Sequence, residues 1–241
     1  MTRATKLLKV LFSSVLLCSA RAYADVSLLE DRNGDGGVEI IAFGDSITYG
    51  VGDGIAPGTY ISELGELGDP SGYPQRLSTL LPASILNAGV PGELVVGVPE
   101  GRTPGVIRFP EVVVGSSADL VIILEGANDA QSEIATTDFA TSLQKMINVA
   151  RADNKSIAVA TLLPPTVQHG MFASQTAALS ETIRQLAALN GIPVIDLERG
   201  FLTDCPDLST CAYYNLPEGL HPNTVGYDAI AKMIATAIQG G

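Results

Sequence analysis

The 241-residue sequence has no tryptophan, two histidines, three cysteines and only 14 lysines and arginines against 26 acidic residues. Each scarcity narrows the possibilities. A chain of formal net charge −12 repels nucleic-acid phosphates and anionic lipid head groups, so neither is an expected partner. Without tryptophan, an aromatic platform for a sugar ring would have to come from the seven tyrosines, of which Tyr49, Tyr60 and Tyr73 lie in or near the loops singled out below. No apolar run is long enough to span a bilayer as a helix. The two histidines, His169 and His221, leave a short search for a general base.

The first 24 residues read as a secretory signal peptide. Arg3, Lys6 and Lys9 form a basic start, residues 10–17 a short apolar core, and Ala22-Tyr23-Ala24 an A-x-A cleavage site. A lipoprotein cut at Cys18 needs a small preceding residue, and Leu17 stands there. Cleavage after Ala24 leaves residues 25–241, a length that suits one domain. Four basic residues and no acid precede the cut, so ten basic and 26 acidic residues remain. The expected location is the periplasm or the medium. In that compartment the two remaining cysteines, Cys205 and Cys211, are expected to form a disulfide rather than a metal site. It would staple a small loop, contributing at the lower end of the usual ~2–4 kcal/mol.

Near the start of the mature chain, Asp31-Arg32-Asn33-Gly34-Asp35-Gly36 resembles the opening of a calcium loop. The twelfth position is Ala42 rather than a bidentate acid, so a solvated turn is the better reading. Short apolar runs bounded by breakers then predict strands over 39–43, 84–87, 120–125, 157–162 and 193–196. Helical spacing joins Phe139, Leu143, Met146, Ile147 and Ala150; Leu179, Ile183 and Leu186; and Ile230, Met233, Ile234 and Ala237. Strands alternating with helices predict a parallel sheet between helical layers, an α/β three-layer sandwich of about five strands. Two long Gly/Pro-rich stretches, 51–72 and 90–110, follow strands and are expected to be loops shaping one cleft.

The stretch with the most chemistry is Phe43-Gly44-Asp45-Ser46 at the end of the first predicted strand. Ligands bind outside the carboxyl ends of such strands. Ser46 is therefore a candidate nucleophile, and a serine hydroxyl needs a base to take its proton. His221 lies in Glu218-Gly219-Leu220-His221-Pro222, just before the last helix, with Glu218 three residues earlier. That spacing lets Glu218 bond one ring nitrogen while the other faces the serine. His169 has no acid close in sequence and ranks second. Donors for an oxyanion would be the Ser46 N–H, the N–H of Gly89 in Asn87-Ala88-Gly89, and the amide of Asn128 in Gly126-Ala127-Asn128-Asp129.

These four blocks, in this order and spanning nearly all the mature chain, resemble the SGNH or GDSL family of serine esterases and lipases. The resemblance implies a flavodoxin-like fold without metal or organic cofactor. It also implies Ser46 as nucleophile, His221 as base, and Ser46, Gly89 and Asn128 as the oxyanion hole. Asp45 and Asp129 would support loops. One position departs: the family usually carries aspartate where Glu218 stands. Glutamate serves this role in other serine hydrolases, and Asp204 and Asp207 are alternative acids. The expected substrate is a small-molecule or glycan ester, with short-chain acyl or acetyl esters first. A carbohydrate acetylesterase, a lysophospholipase, acyl transfer to another alcohol and a catalytically silent glycan-binding module are the competing expectations.

Overall fold

The computed structural model describes residues 28–57, 71–97 and 103–240. The expected signal peptide and its cleavage site lie outside the described residues, as does Tyr60. Five apolar runs form five strands: β1 (Glu39–Gly44), β2 (Ser84–Gly89), β3 (Leu120–Leu124), β4 (Ser156–Ala160) and β5 (Val194–Ile195). All pair in parallel, in the order β2-β1-β3-β4-β5. This is the doubly wound, flavodoxin-like order, in which the chain reverses direction across the sheet between β1 and β3 and opens a crevice at their carboxyl ends.

The intervening helices are α1 (Ser46–Tyr49), α2 (Gly72–Leu80), α3 (Gly105–Val113), α4 (Ala127–Gln131), α5 (Thr136–Ala152), α6 (Ala173–Asn190), α7 (Leu197–Asp204) and α8 (Thr224–Gln239). Alternation along β1 explains the layers. Ile40 and Ala42 join Leu120 and Ile122 in a core with Tyr73 and Leu77 of α2, Phe201 of α7, and Ile230 and Ile234 of α8. Ile41 and Phe43 face the other way, toward Phe109 of α3, Phe139 and Leu143 of α5, and Leu179 and Ile183 of α6. Successive strand residues point to opposite faces, so a sheet covered on both sides needs the continuous apolar runs seen here. Helix α8 starts where a cap is available: the Asn223 side chain accepts from the Val225 and Gly226 N–H groups.

Two expectations change. The last third of the 90–110 stretch is not loop, because α3 begins at Gly105. Pro104 and Pro110 read as breakers, yet Pro104 precedes the first turn, and Phe109 and Val113 are fully buried. Packing of that face outweighs the missing Pro110 N–H. The last strand is also shorter than expected, since Asp196 caps α7 by accepting from Arg199 N–H. The expected turn at Asp31 closes on itself, with its carboxylate accepting from the N–H groups of Gly34, Asp35 and Gly36. Cys205 and Cys211 form a disulfide with Cα atoms 5.4 Å apart, joining the end of α7 to the approach of α8. No described helix is long and apolar enough to cross a membrane.

Candidate active site

β1 delivers Ser46 to the crevice. The strand ends so close to β3 that a Cβ on Gly44 would stand 2.0 Å from the Leu124 carbonyl oxygen. The buried Asp45 caps the four-residue helix α1, accepting from Ile47 N–H at 2.9 Å. Ser46 opens that helix, so its own N–H has no intrahelical acceptor. The far end of α1 is held by Asn87, whose amide donates to the carbonyls of Thr48, Tyr49 and Ser71 at 3.0, 3.3 and 3.2 Å. Asn87 fixes the turn that carries Ser46, a task its position close to Gly89 did not announce.

His221 reaches Ser46 from the loop before α8. Its Nε2 lies 2.8 Å from Ser46 Oγ, and its Nδ1 lies 2.8 Å from Glu218 Oε1. A carboxylate only accepts, so the ring proton sits on Nδ1 and the Nε2 lone pair faces the serine hydroxyl. The second Glu218 oxygen accepts from the N–H groups of His221 and Leu220 at 2.8 and 2.9 Å. The extra methylene of glutamate thus lets the side chain curl back over its own turn. Burial alone would raise the Glu218 pKa, but the His221 ring and these two N–H groups reverse the sign and hold it below the ordinary range. Asp204 instead accepts from the Tyr213 hydroxyl, and Asp207 caps its own turn at Ser209. His169 sits behind the acid, donating from Nδ1 to the Glu218 carbonyl oxygen at 2.7 Å.

Gly89 ends β2, and Asn128 lies on α4 just beyond the end of β3, so the two flank the end of β1. A Cβ on Gly89 would stand 2.2 Å from Tyr49 N, so only glycine lets β2 approach α1 this closely. The Gly89 N–H donates to Asn87 Oδ1 at 3.0 Å. Asn128 donates one amide proton to the Glu93 carbonyl oxygen at 2.8 Å. Asp129 accepts from the N–H groups of Val95 and Val96 at 2.8 and 3.0 Å, which ties the 90–97 segment to α4. The roles of Asn87 and Glu93 were not read from the sequence; they depend on which carbonyls the fold brings to them.

Burial pushes the Asp45 and Asp129 carboxyls up from an ordinary 3.8 to about 6, against the backbone N–H groups that favour their charged forms. A raised carboxyl pKa means that the folded state binds more protons than the unfolded chain between pH 3.8 and about 6. The stability from these groups is therefore complete below that window and lost as pH rises through it. For Asp129 the loss amounts to roughly 3 kcal/mol at 1.36 kcal/mol per pH interval. Denaturant unfolding from pH 4 to 7 should show the wild type losing this much relative to Asp129→Asn. Parallel stability curves for the two proteins would contradict the shift. Among the described residues, no group of three or more His, Cys, Asp or Glu is arranged to hold a metal ion.

A parallel α/β sandwich with a hydrogen-bonded Ser–His–carboxylate chain at the β1–β3 crevice defines the general class. The particular family follows from its sequence: residues 42–229 match the model of the GDSL-like lipase/acylhydrolase family, and the chain belongs to that family. No curated protein matches the sequence. Among solved structures, the lipase/acylhydrolase from Enterococcus faecalis is similar, with 24% identity and a TM-score of 0.65 over 84% of this chain and 96% of that one. A catalytic mutant of an acetylxylan esterase from Geobacillus stearothermophilus gives 19% identity and 0.65 over 84% and 94%. A GDSL-like lipase from Bacteroides thetaiotaomicron gives 18% and 0.60 over 83% and 87%. At these identities the likeness speaks for the fold, and the family membership supports an ester-hydrolysing enzyme.

Proposed function

We propose that this chain is a secreted serine esterase, acting on short-chain acyl or acetyl esters through an acyl-enzyme. On this reading a signal peptide is removed after Ala24 and residues 25–241 form the catalytic domain. The observation that carries the reading is the unbroken relay from Ser46 through His221 to Glu218, with both links at 2.8 Å. Its tautomer leaves Nε2 ready to accept the serine proton.

In the proposed mechanism, His221 Nε2 takes the Ser46 proton as Oγ attacks the ester carbonyl. Glu218 stabilises the resulting imidazolium. The tetrahedral oxyanion draws on Ser46 N–H, Gly89 N–H and the Asn128 amide. A charged oxygen is a stronger acceptor than the Asn87 amide that Gly89 N–H bonds at rest. His221 then protonates the leaving alcohol, and a water deprotonated by His221 releases the acid and regenerates Ser46. Loss of one oxyanion donor typically costs ~100- to 1000-fold in turnover, so Asn128→Ala should lower kcat by that order. Near-normal kcat in this variant would remove Asn128 from the hole.

The similarity to an acetylxylan esterase favours, as the second reading, acetyl groups carried on a carbohydrate. Hydrolysis of p-nitrophenyl esters from acetate to long acyl chains, beside acetylated xylan, separates the two. A steep preference for short synthetic esters supports the first reading; activity confined to the glycan supports the second. Product analysis with an added acceptor alcohol tests for acyl transfer. Absence of activity on every ester by folded protein would leave a non-catalytic glycan-binding module.

A further inference from the structure

Arg108 on α3 is a partly buried charge beside the proposed oxyanion donors that the mechanism does not use. Its Nε and Nη2 bond the two carboxylate oxygens of Glu93 at 2.6 and 2.5 Å, the two-pronged geometry in which an arginine fork loses least freedom. The same Nη2 donates to the Ala88 carbonyl oxygen at 3.0 Å and approaches the Gly44 carbonyl oxygen at 3.5 Å. The guanidinium also stacks 4.0 Å from the centre of the Phe43 ring, so it is anchored from below by the sheet.

Each of these contacts leads to a donor. Ala88 C=O and Gly89 N–H belong to one rigid peptide plane, so a bond to the carbonyl orients that N–H and increases its polarity. Glu93 is the residue whose carbonyl oxygen holds the Asn128 amide, and its side chain is the one Arg108 grips. Glu125 closes the cluster. It is buried against Gly105 at the start of α3, and its carboxyl oxygens have no hydrogen-bond donor among the described residues. Burial and the neighbouring Glu93 keep its proton on well above the ordinary range. Its protonated form adds no second charge beside the ion pair for Arg108 to balance.

We propose that Arg108 is a positioning residue of the oxyanion hole, orienting Gly89 N–H through the Ala88 carbonyl and the Asn128 amide through Glu93. This rests on the assignment of those two groups as oxyanion donors. Arg108 touches no reacting atom; it makes the donors stand ready before charge develops, which is where preorganised donors gain their effect.

The test compares the wild type, Arg108→Met, Arg108→Lys, Asn128→Ala and the double variant Arg108→Met/Asn128→Ala. Arg108→Met should lower kcat by roughly 10- to 100-fold, less than full loss of a donor, with KM changed less than about threefold. Arg108→Lys, which keeps charge but not the fork, should recover part of the loss, and it replaces Arg108→Met as the test should the latter fail to fold. In the Asn128→Ala background the Arg108 substitution should cost several-fold less, because part of its effect runs through Asn128. A readout independent of turnover is the NMR spectrum of the Asn128 side-chain amide and the Gly89 backbone amide. Both should shift in the Arg108 variants, while the His221 Nδ1 proton signal stays in place. Full additivity of the two substitutions, or unmoved Asn128 and Gly89 resonances, would overturn the proposal. A wild type that turns over no ester would sink the esterase reading instead, and the two resonances would still decide whether Arg108 orients these groups.

Discussion

Ser46→Ala is expected to lower ester turnover by about 10⁵- to 10⁶-fold, the scale at which loss of the nucleophile in a serine hydrolase leaves only binding and oxyanion stabilisation. The geometry gives the reason. His221 Nε2 has one hydroxyl to serve, Ser46 Oγ at 2.8 Å. With that oxygen removed, a water would have to bind in its place without the covalent tether that makes the attack effectively unimolecular. His221→Ala should cost nearly as much, and the double variant little more than either, because two residues acting as one unit are not additive. Ser46 is small and its Cβ remains in the alanine variant, so the thermal midpoint should move little. Residual kcat above about one per cent in Ser46→Ala, against the 10⁵-fold scale, would show that another residue is the nucleophile.

The second large effect concerns Glu218. Glu218→Gln is expected to lower kcat by roughly 10³- to 10⁴-fold, less than loss of the serine. An amide can turn its NH₂ toward Nδ1, which then must accept, so the proton moves to Nε2 and the ring can no longer take one from Ser46. Glu218→Ala should also weaken activity less than Ser46→Ala, since it removes the orienting partner while His221 keeps its place through other contacts. The Asn215 amide donates to the His221 carbonyl oxygen at 3.3 Å and to that of Pro222 at 2.9 Å, and these bonds do not depend on the acid. Glu218 has a lowered folded pKa, so its contribution to stability is present above its unfolded pKa and lost as pH falls through the folded one. The kcat of both variants at pH 7, with unfolding curves as control, checks the expectation. Equal loss in Glu218→Ala and Ser46→Ala would make the carboxylate indispensable; unchanged kcat would remove Glu218 from the relay.

Much of this site could be anticipated from residue order because its chemistry is concentrated at strand ends. Apolar runs that stop at Gly-Asp-Ser or Gly-Ala-Asn mark the carboxyl edge of a parallel sheet, and a histidine ahead of the last helix reaches the same edge. The three amphipathic stripes lie on α5, α6 and α8 because long helices with a regular apolar face declare themselves. Helix α3 did not, since two prolines and a glycine hid nine residues whose stability comes from packing. The supporting shell was the least visible part. Asn87 donates to Thr48, Tyr49 and Ser71, and Arg108 bonds Ala88 and Glu93; none of these pairings has a sequence period, because each depends on where separate loops meet. Glu218 was identifiable by its three-residue spacing from His221, whereas the placement of His169 against the Glu218 carbonyl followed from the pairing of the 166–169 turn with the 216–222 loop.

In the proposed mechanism the acyl group passes through Ser46. The direct measurement is rapid acid quenching of the mature protein during turnover of p-nitrophenyl acetate, followed by peptide mass mapping. An acetyl adduct is expected on the peptide containing Ser46, forming with the burst of p-nitrophenol and absent in Ser46→Ala. A burst accompanied by acetylation at another residue, or steady hydrolysis with no adduct at Ser46, would contradict it.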